Sequence, residues 1–220
     1  MQSKMIVYGA IGAAVLIAIA FLLVYRTEEV ARNETSITNG TAQTQEISPY
    51  DEANKLLKQS LAEHDISMSS PIKIQSQESI QKYCSFFTNE EIQKLVQYCT
   101  STEIKDPEGK FLGNIHMVGS PNEPKITLVI LQVDPFMSQI DSVKTIIESS
   151  VQNLVCDCWA DVQPGNLKDV GELVEGLKQF HLQGSRPHSQ SNELELNGKT
   201  LQLELTTNKD GYLWQFFIYG

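Results

Sequence analysis

The chain opens on an unbroken apolar run, "MIVYGAIGAAVLIAIAFLLVY", residues 5 to 25, with neither charge nor proline. At about 1.5 Å of rise per residue, a helix of this length covers about 30 Å, the thickness of one bilayer core. A cleaved signal would have a shorter apolar region that ends at a small-x-small site. "AIA" at 18–20 has that form, yet "FLLVY" carries the run straight past it. The pattern therefore predicts a tail of residues 1–4 and an uncleaved anchor, with the membrane as partner through residues 5–25.

Polar residues take over at once. Residues 26–48 lack aromatics and are dominated by Thr, Asn, Gln and Glu. Such a segment buries too little apolar surface to offset the entropy of ordering it, so a disordered stalk is expected.

Helical spacing begins after "SPYDE", where Ser48 can cap, Pro49 suits the first turn, and Asp51 and Glu52 suit its positive end. Tyr50, Ala53, Leu56, Leu57 and Leu61 form a stripe that predicts a helix to about His64. "PIKIQ" (71–75) reads as a short strand. Ile80, Tyr83, Cys84 and Phe87 share a second helical face. Thr88 and Glu91 form a capping box, predicting another helix with Ile92, Leu95, Val96 and Cys99 on one side.

The period then changes. "STEIKD", "KFLGNIHMV" and "KITLVILQV" are strand-like runs separated by the turn clusters "PEG" and "SPNEP". After Pro135 a long helical stripe runs through Ile140, Val143, Ile146, Ile147, Val151, Leu154 and Val155. "QPGN" (163–166) interrupts it, and "LKDVGELVEGLKQFHL" predicts a further helix. "NELELNG" and "KTLQLELTT" alternate strictly, placing Leu194, Leu196, Leu201, Leu203 and Leu205 inward. "ITLVILQV" and "YLWQFFIY" are apolar on both faces, as covered strands are. The expected fold is α+β: an N-terminal transmembrane helix, then one globular domain, residues 49–220, with two three-stranded antiparallel meanders and packed helices.

Charge narrows the partners. The net charge is −10, and residues 49–220 hold 14 Lys+Arg against 23 Asp+Glu, with Arg186 as the single arginine. A domain so acidic and so poor in arginine is unsuited to phosphate neutralisation, so no nucleic-acid partner is expected. The partner expected is a protein or a small molecule.

Side preference rests on two features, because the flanking charges do not decide it: Lys4 stands before the run, and Arg26 and Arg32 after it are diluted by Glu28 and Glu29. "NET" and "NGT" make Asn33 and Asn39 candidate glycosylation sites, and the four cysteines are even in number. Both favour a single-pass protein of the cell membrane with its C-terminal domain outside the cytoplasm.

Cys84, Cys99, Cys156 and Cys158 are the disulfide candidates. If Cys84 and Cys99 lie on consecutive helices, they are offset by about 10 Å, too far to bridge. Within "VCDCWADV" the two thiols diverge on a helix, and on a strand they close a constrained ring. Crosslinks from the first pair to the second are therefore the expected pattern. The same four residues are the weak alternative for a metal, although their spacing lacks the C-x2-4-C knuckles of zinc sites. A redox role for the C-x-C pair meets the charge of Asp157, which disfavours a thiolate beside it.

His116, alternating on its strand, reads as a hydrogen-bonded wall residue, and His181 and His188 as substitutes in a mixed metal site. Asp106, Glu108, Asp134, Asp157 and Asp161 read as solvated turns. No nucleophile elbow, zincin motif, P-loop or dinucleotide fingerprint is present, so no catalytic residue and no cofactor are assigned. The function expected is a membrane-anchored, non-catalytic domain of binding or accessory type. The alternative is a tethered thiol oxidoreductase or metal-binding protein that uses Cys156 and Cys158.

Overall fold

A computed structural model describes residues 47–87 and 89–220. The predicted tail, anchor and nearly all of the stalk, with Asn33 and Asn39, lie outside the described residues. Among the described residues no helix is long and apolar enough to cross a membrane.

The domain is α+β, a large antiparallel sheet with several helices. In chain order the elements are α1 (Pro49–Ala62), β1 (Ser67–Met68), β2 (Ile72–Ile74), α2 (Gln77–Tyr83), α3 (Glu90–Lys94), β3 (Tyr98–Lys105), β4 (Phe111–Ser120) and β5 (Glu123–Val133). Then follow α4 (Ile140–Leu154), α5 (Trp159–Val162), a 3-10 turn (Pro164–Asn166), α6 (Val170–Gln183), β6 (His188–Gln190), β7 (Leu194–Leu196), β8 (Lys199–Asn208) and β9 (Gly211–Tyr219).

The nine strands of the described residues join one sheet, ordered β1-β3-β4-β5-β9-β8-β6, with β2 also on β3 and β7 also on β8. The two expected three-stranded runs meet where β5 pairs with β9, from Ile126 opposite Tyr219 to Val133 opposite Tyr212. Two strands apolar on both faces thus cover each other's edges at the centre. Gly211 makes the junction possible. Its φ is +129°, and a Cβ there would collide with the Val133 carbonyl.

One sheet face carries α1, α4 and α6. Their buried stripes, including Leu57, Leu61, Val143, Ile147, Val174 and Leu177, meet Ile115, Val129, Leu131, Leu203, Trp214 and Phe216 in the main core. A buried polar knot lies at the edge of this core, at Tyr50, Asn54 and Thr102. Thr102 Oγ1 donates to Asn54 Oδ1 (2.7 Å), and Asn54 Nδ2 donates to the Tyr50 carbonyl (2.8 Å). The Tyr50 hydroxyl donates to the Ser120 carbonyl (2.7 Å), which docks the start of α1 on the β4–β5 turn. Ser48 precedes α1 as expected, but its side chain makes no capping bond.

The opposite face is covered only in part. There α2 and α3 form a small arm over Cys99, Val118 and Ile126, with Ile80, Cys84 and Val96 as its buried residues. This corrects two expectations. The helix predicted through Cys99 stops at Lys94, and Asn89 is its cap, accepting from Glu91 N (2.9 Å). Gln97 N then donates to the Gly119 carbonyl (2.8 Å), so Tyr98 and Cys99 already belong to β3.

Candidate functional site

Cysteine placement follows from that change of element. Cys84 is the C-terminal cap of α2, and Cys99 faces it from β3, paired there with Ile74 and Val118. Their Cα atoms are 6.5 Å apart and the sulfurs are at disulfide distance. The expected 10 Å offset is overturned because a strand, not a second helix, carries Cys99. Both residues are fully buried. Gln93 reinforces the arm: its Nε2 donates to the Cys84 carbonyl (3.1 Å), and its Oε1 accepts from Phe87 N (3.3 Å).

Cys156 and Cys158 form the second pair, with Cα atoms 5.2 Å apart and sulfurs at disulfide distance. Crosslinks between the two cysteine regions, the expected pattern, do not occur. The chain is neither helix nor strand here: α4 ends at Leu154, and Val155 (φ −122°, ψ −74°) turns it out of the helix. The turn is framed by backbone bonds. Val155 N and Cys156 N both donate to the Val151 carbonyl (2.9 and 3.0 Å), and Asp161 N and Val162 N donate to the Cys158 carbonyl (3.2 and 3.1 Å). Asn197 Nδ2, from the β7–β8 turn, donates to the Val155 carbonyl (3.0 Å). Both cysteines are half-buried at the margin of the main core.

His116 sits in β4 beneath the arm, its ring 4.5 Å from that of Phe86. It is a wall residue, as expected, but not a hydrogen-bonded one: Nδ1 is buried without a partner. Burial pushes its pKa down to about 4.

His181 is the reverse case, a histidine on α6 whose role the sequence pattern missed. It is buried, with Nδ1 2.9 Å from Ser189 Oγ and Nε2 2.7 Å from Thr207 Oγ1. Burial, then the charges of His188 and Arg186, hold its pKa below the usual value. The ring ties α6 to β6 and β8. His188 bonds Thr206 Oγ1 instead (3.0 Å). Among the described residues no group of three or more His, Cys, Asp or Glu side chains is placed to hold a metal.

A cavity of about 250 Å³ opens where the start of α1 meets the end of α4. Ala53, Leu56, Met117 and Leu154 line it, and Lys125 and Lys199 add positive charge. Lys125 is engaged by Glu123 at 2.6 Å.

No match was found. No family model, no curated protein and no solved structure matches the chain.

Proposed function

We propose that the chain is a single-pass membrane protein whose domain, residues 49–220, works outside the cytoplasm as a binding or accessory module. The observation that supports this most is the state of the cysteines: all four lie in two pairs at disulfide distance. Such bonds persist in oxidising compartments and are rare in the cytosol. The apolar run 5–25 supplies the anchor and residues 26–48 the tether. Asn33 and Asn39 are then available for glycosylation, and the partner is a protein or small molecule met on the outer side.

The test is made on native membranes. Intact cells are treated with protease, and membrane material is alkylated without reductant and weighed by mass spectrometry. The proposal expects the domain to be shaved from intact cells and to take up no alkylating groups. A domain that survives protease while a surface control is digested, or four freely alkylated cysteines, would overturn it.

A further inference from the structure

The Cys156–Cys158 bond closes a loop over a single residue, at a sequence separation of 2. In the chain-entropy description, stabilisation by a crosslink grows with the loop it closes, so this bond stabilises the fold less than Cys84–Cys99 does. The hydrogen bonds that frame its turn involve neither sulfur: two backbone bonds to the Val151 carbonyl, two to the Cys158 carbonyl and one from the Asn197 side chain hold the turn from both sides. Opening the disulfide therefore leaves its frame standing. The sulfurs also belong to half-buried residues, unlike those of Cys84 and Cys99, which are sealed beneath the arm. Access of an attacking thiolate to sulfur is the first condition for exchange.

We propose that Cys156–Cys158 is a thiol–disulfide exchange site whose substrates are proteins or peptides carrying a pair of thiols. A substrate thiolate attacks one sulfur of the pair. The Cys156–Cys158 bond breaks, a mixed disulfide forms, and the other cysteine leaves as a thiolate that takes up a proton. The second substrate thiolate then attacks its own sulfur in the mixed disulfide, and the remaining cysteine is released and protonated. The substrate is oxidised to a disulfide and the pair is reduced to two thiols, a transfer of two electrons and two protons. Glutathione disulfide restores the pair by the same two exchanges in reverse roles. Asp157, between the two cysteines in sequence, disfavours their thiolates and so slows their release as well as their return attack.

This activity rests on the placement outside the cytoplasm, and the experiment separates the two. The full chain in detergent is equilibrated across glutathione buffers, trapped with an alkylating agent and mapped by mass. Cys156–Cys158 is expected to open at a potential at least about 30 mV above Cys84–Cys99, a tenfold difference in equilibrium constant. The oxidised chain is expected to convert a reduced dithiol peptide to its disulfide, one per chain. That conversion is lost in the Cys156→Ser/Cys158→Ser variant and kept when Cys84 and Cys99 are replaced by alanine. If the two pairs open together, or the peptide stays reduced, the exchange proposal fails. If both pairs are found as thiols in native membranes, the placement fails, and the exchange role with it.

Discussion

The two cysteine pairs are of one chemical kind and sit in opposite surroundings. Cys84–Cys99 joins separate elements, the arm and the sheet, at a sequence separation of 15, and both residues are wholly buried. Cys156–Cys158 joins nothing that its own turn does not already join. The difference shows that a disulfide's role is set by what would move without it. At the first pair the arm would lose its covalent tie to the sheet and would rest on the apolar contacts of Ile80 and Val96 with Val118 and Ile126. At the second, hydrogen bonds keep the geometry.

The largest effect expected from this contrast is on stability. Replacing Cys84 and Cys99 by alanine is expected to cost about 3 kcal/mol, the chain-entropy value for a loop of that size, against about 1.5 kcal/mol for Cys156→Ser/Cys158→Ser. Urea unfolding of the two double variants checks this, and equal losses would erase the distinction.

Acid should reach the arm in a similar way. The ring of His116 is held uncharged in the folded state, with a pKa of about 4, whereas the unfolded chain takes up its proton near the ordinary histidine value. Its contribution is therefore whole above about pH 6.5 and drains as pH falls toward 4, to a limit of about 3 kcal/mol. Unfolding midpoints compared at pH 7 and pH 4.5 should show this loss, and His116→Phe should remove most of it. A variant with the same acid sensitivity as the parent would place the titrating group elsewhere. His181 adds to the parent's loss with the same sign.

The smallest effect concerns the frame of the second pair. Asn197 has φ +49° and donates to the Val155 carbonyl. Alanine there loses the bond and takes on left-handed strain, about 1 kcal/mol or somewhat more in all. Faster alkylation of Cys156 and Cys158 under mild reductant is expected with it. Unchanged alkylation would show that the other backbone bonds suffice.

Much of this architecture was readable from period alone. The helices α1, α4 and α6 came out as expected, because each is long enough to repeat its pattern over one buried face, although Leu56 of the α1 stripe is exposed and Val155 lies beyond the end of α4. The inward leucines of β7 and β8 are also buried. The arm was misread for a physical reason. Ile92, Leu95, Val96 and Cys99 fit a helix, but a short apolar run fits either period, and the hydrogen bond from Gln97 to Gly119 settles it from outside the segment. The wrong element for Cys99 then gave the wrong disulfides. β1 and β6 are too short to carry a pattern and exist only through their partners. That "ITLVILQV" and "YLWQFFIY" are both covered was legible; that they cover one another was not. His181 left no local signal, since Ser189 and Thr207 reach it only once α6 has packed on the sheet.

The pairing of β5 with β9 also orders events in time. Val133 and Tyr212 must find each other across most of the domain's second half before the sheet is continuous. Long-range closures of this kind make folding slow, because loop entropy is lost before the contact rewards it. Until β9 arrives, β5 presents a long, greasy, unbonded border to any neighbouring chain. During synthesis the nascent protein is thus most prone to aggregate just before its closing strand emerges.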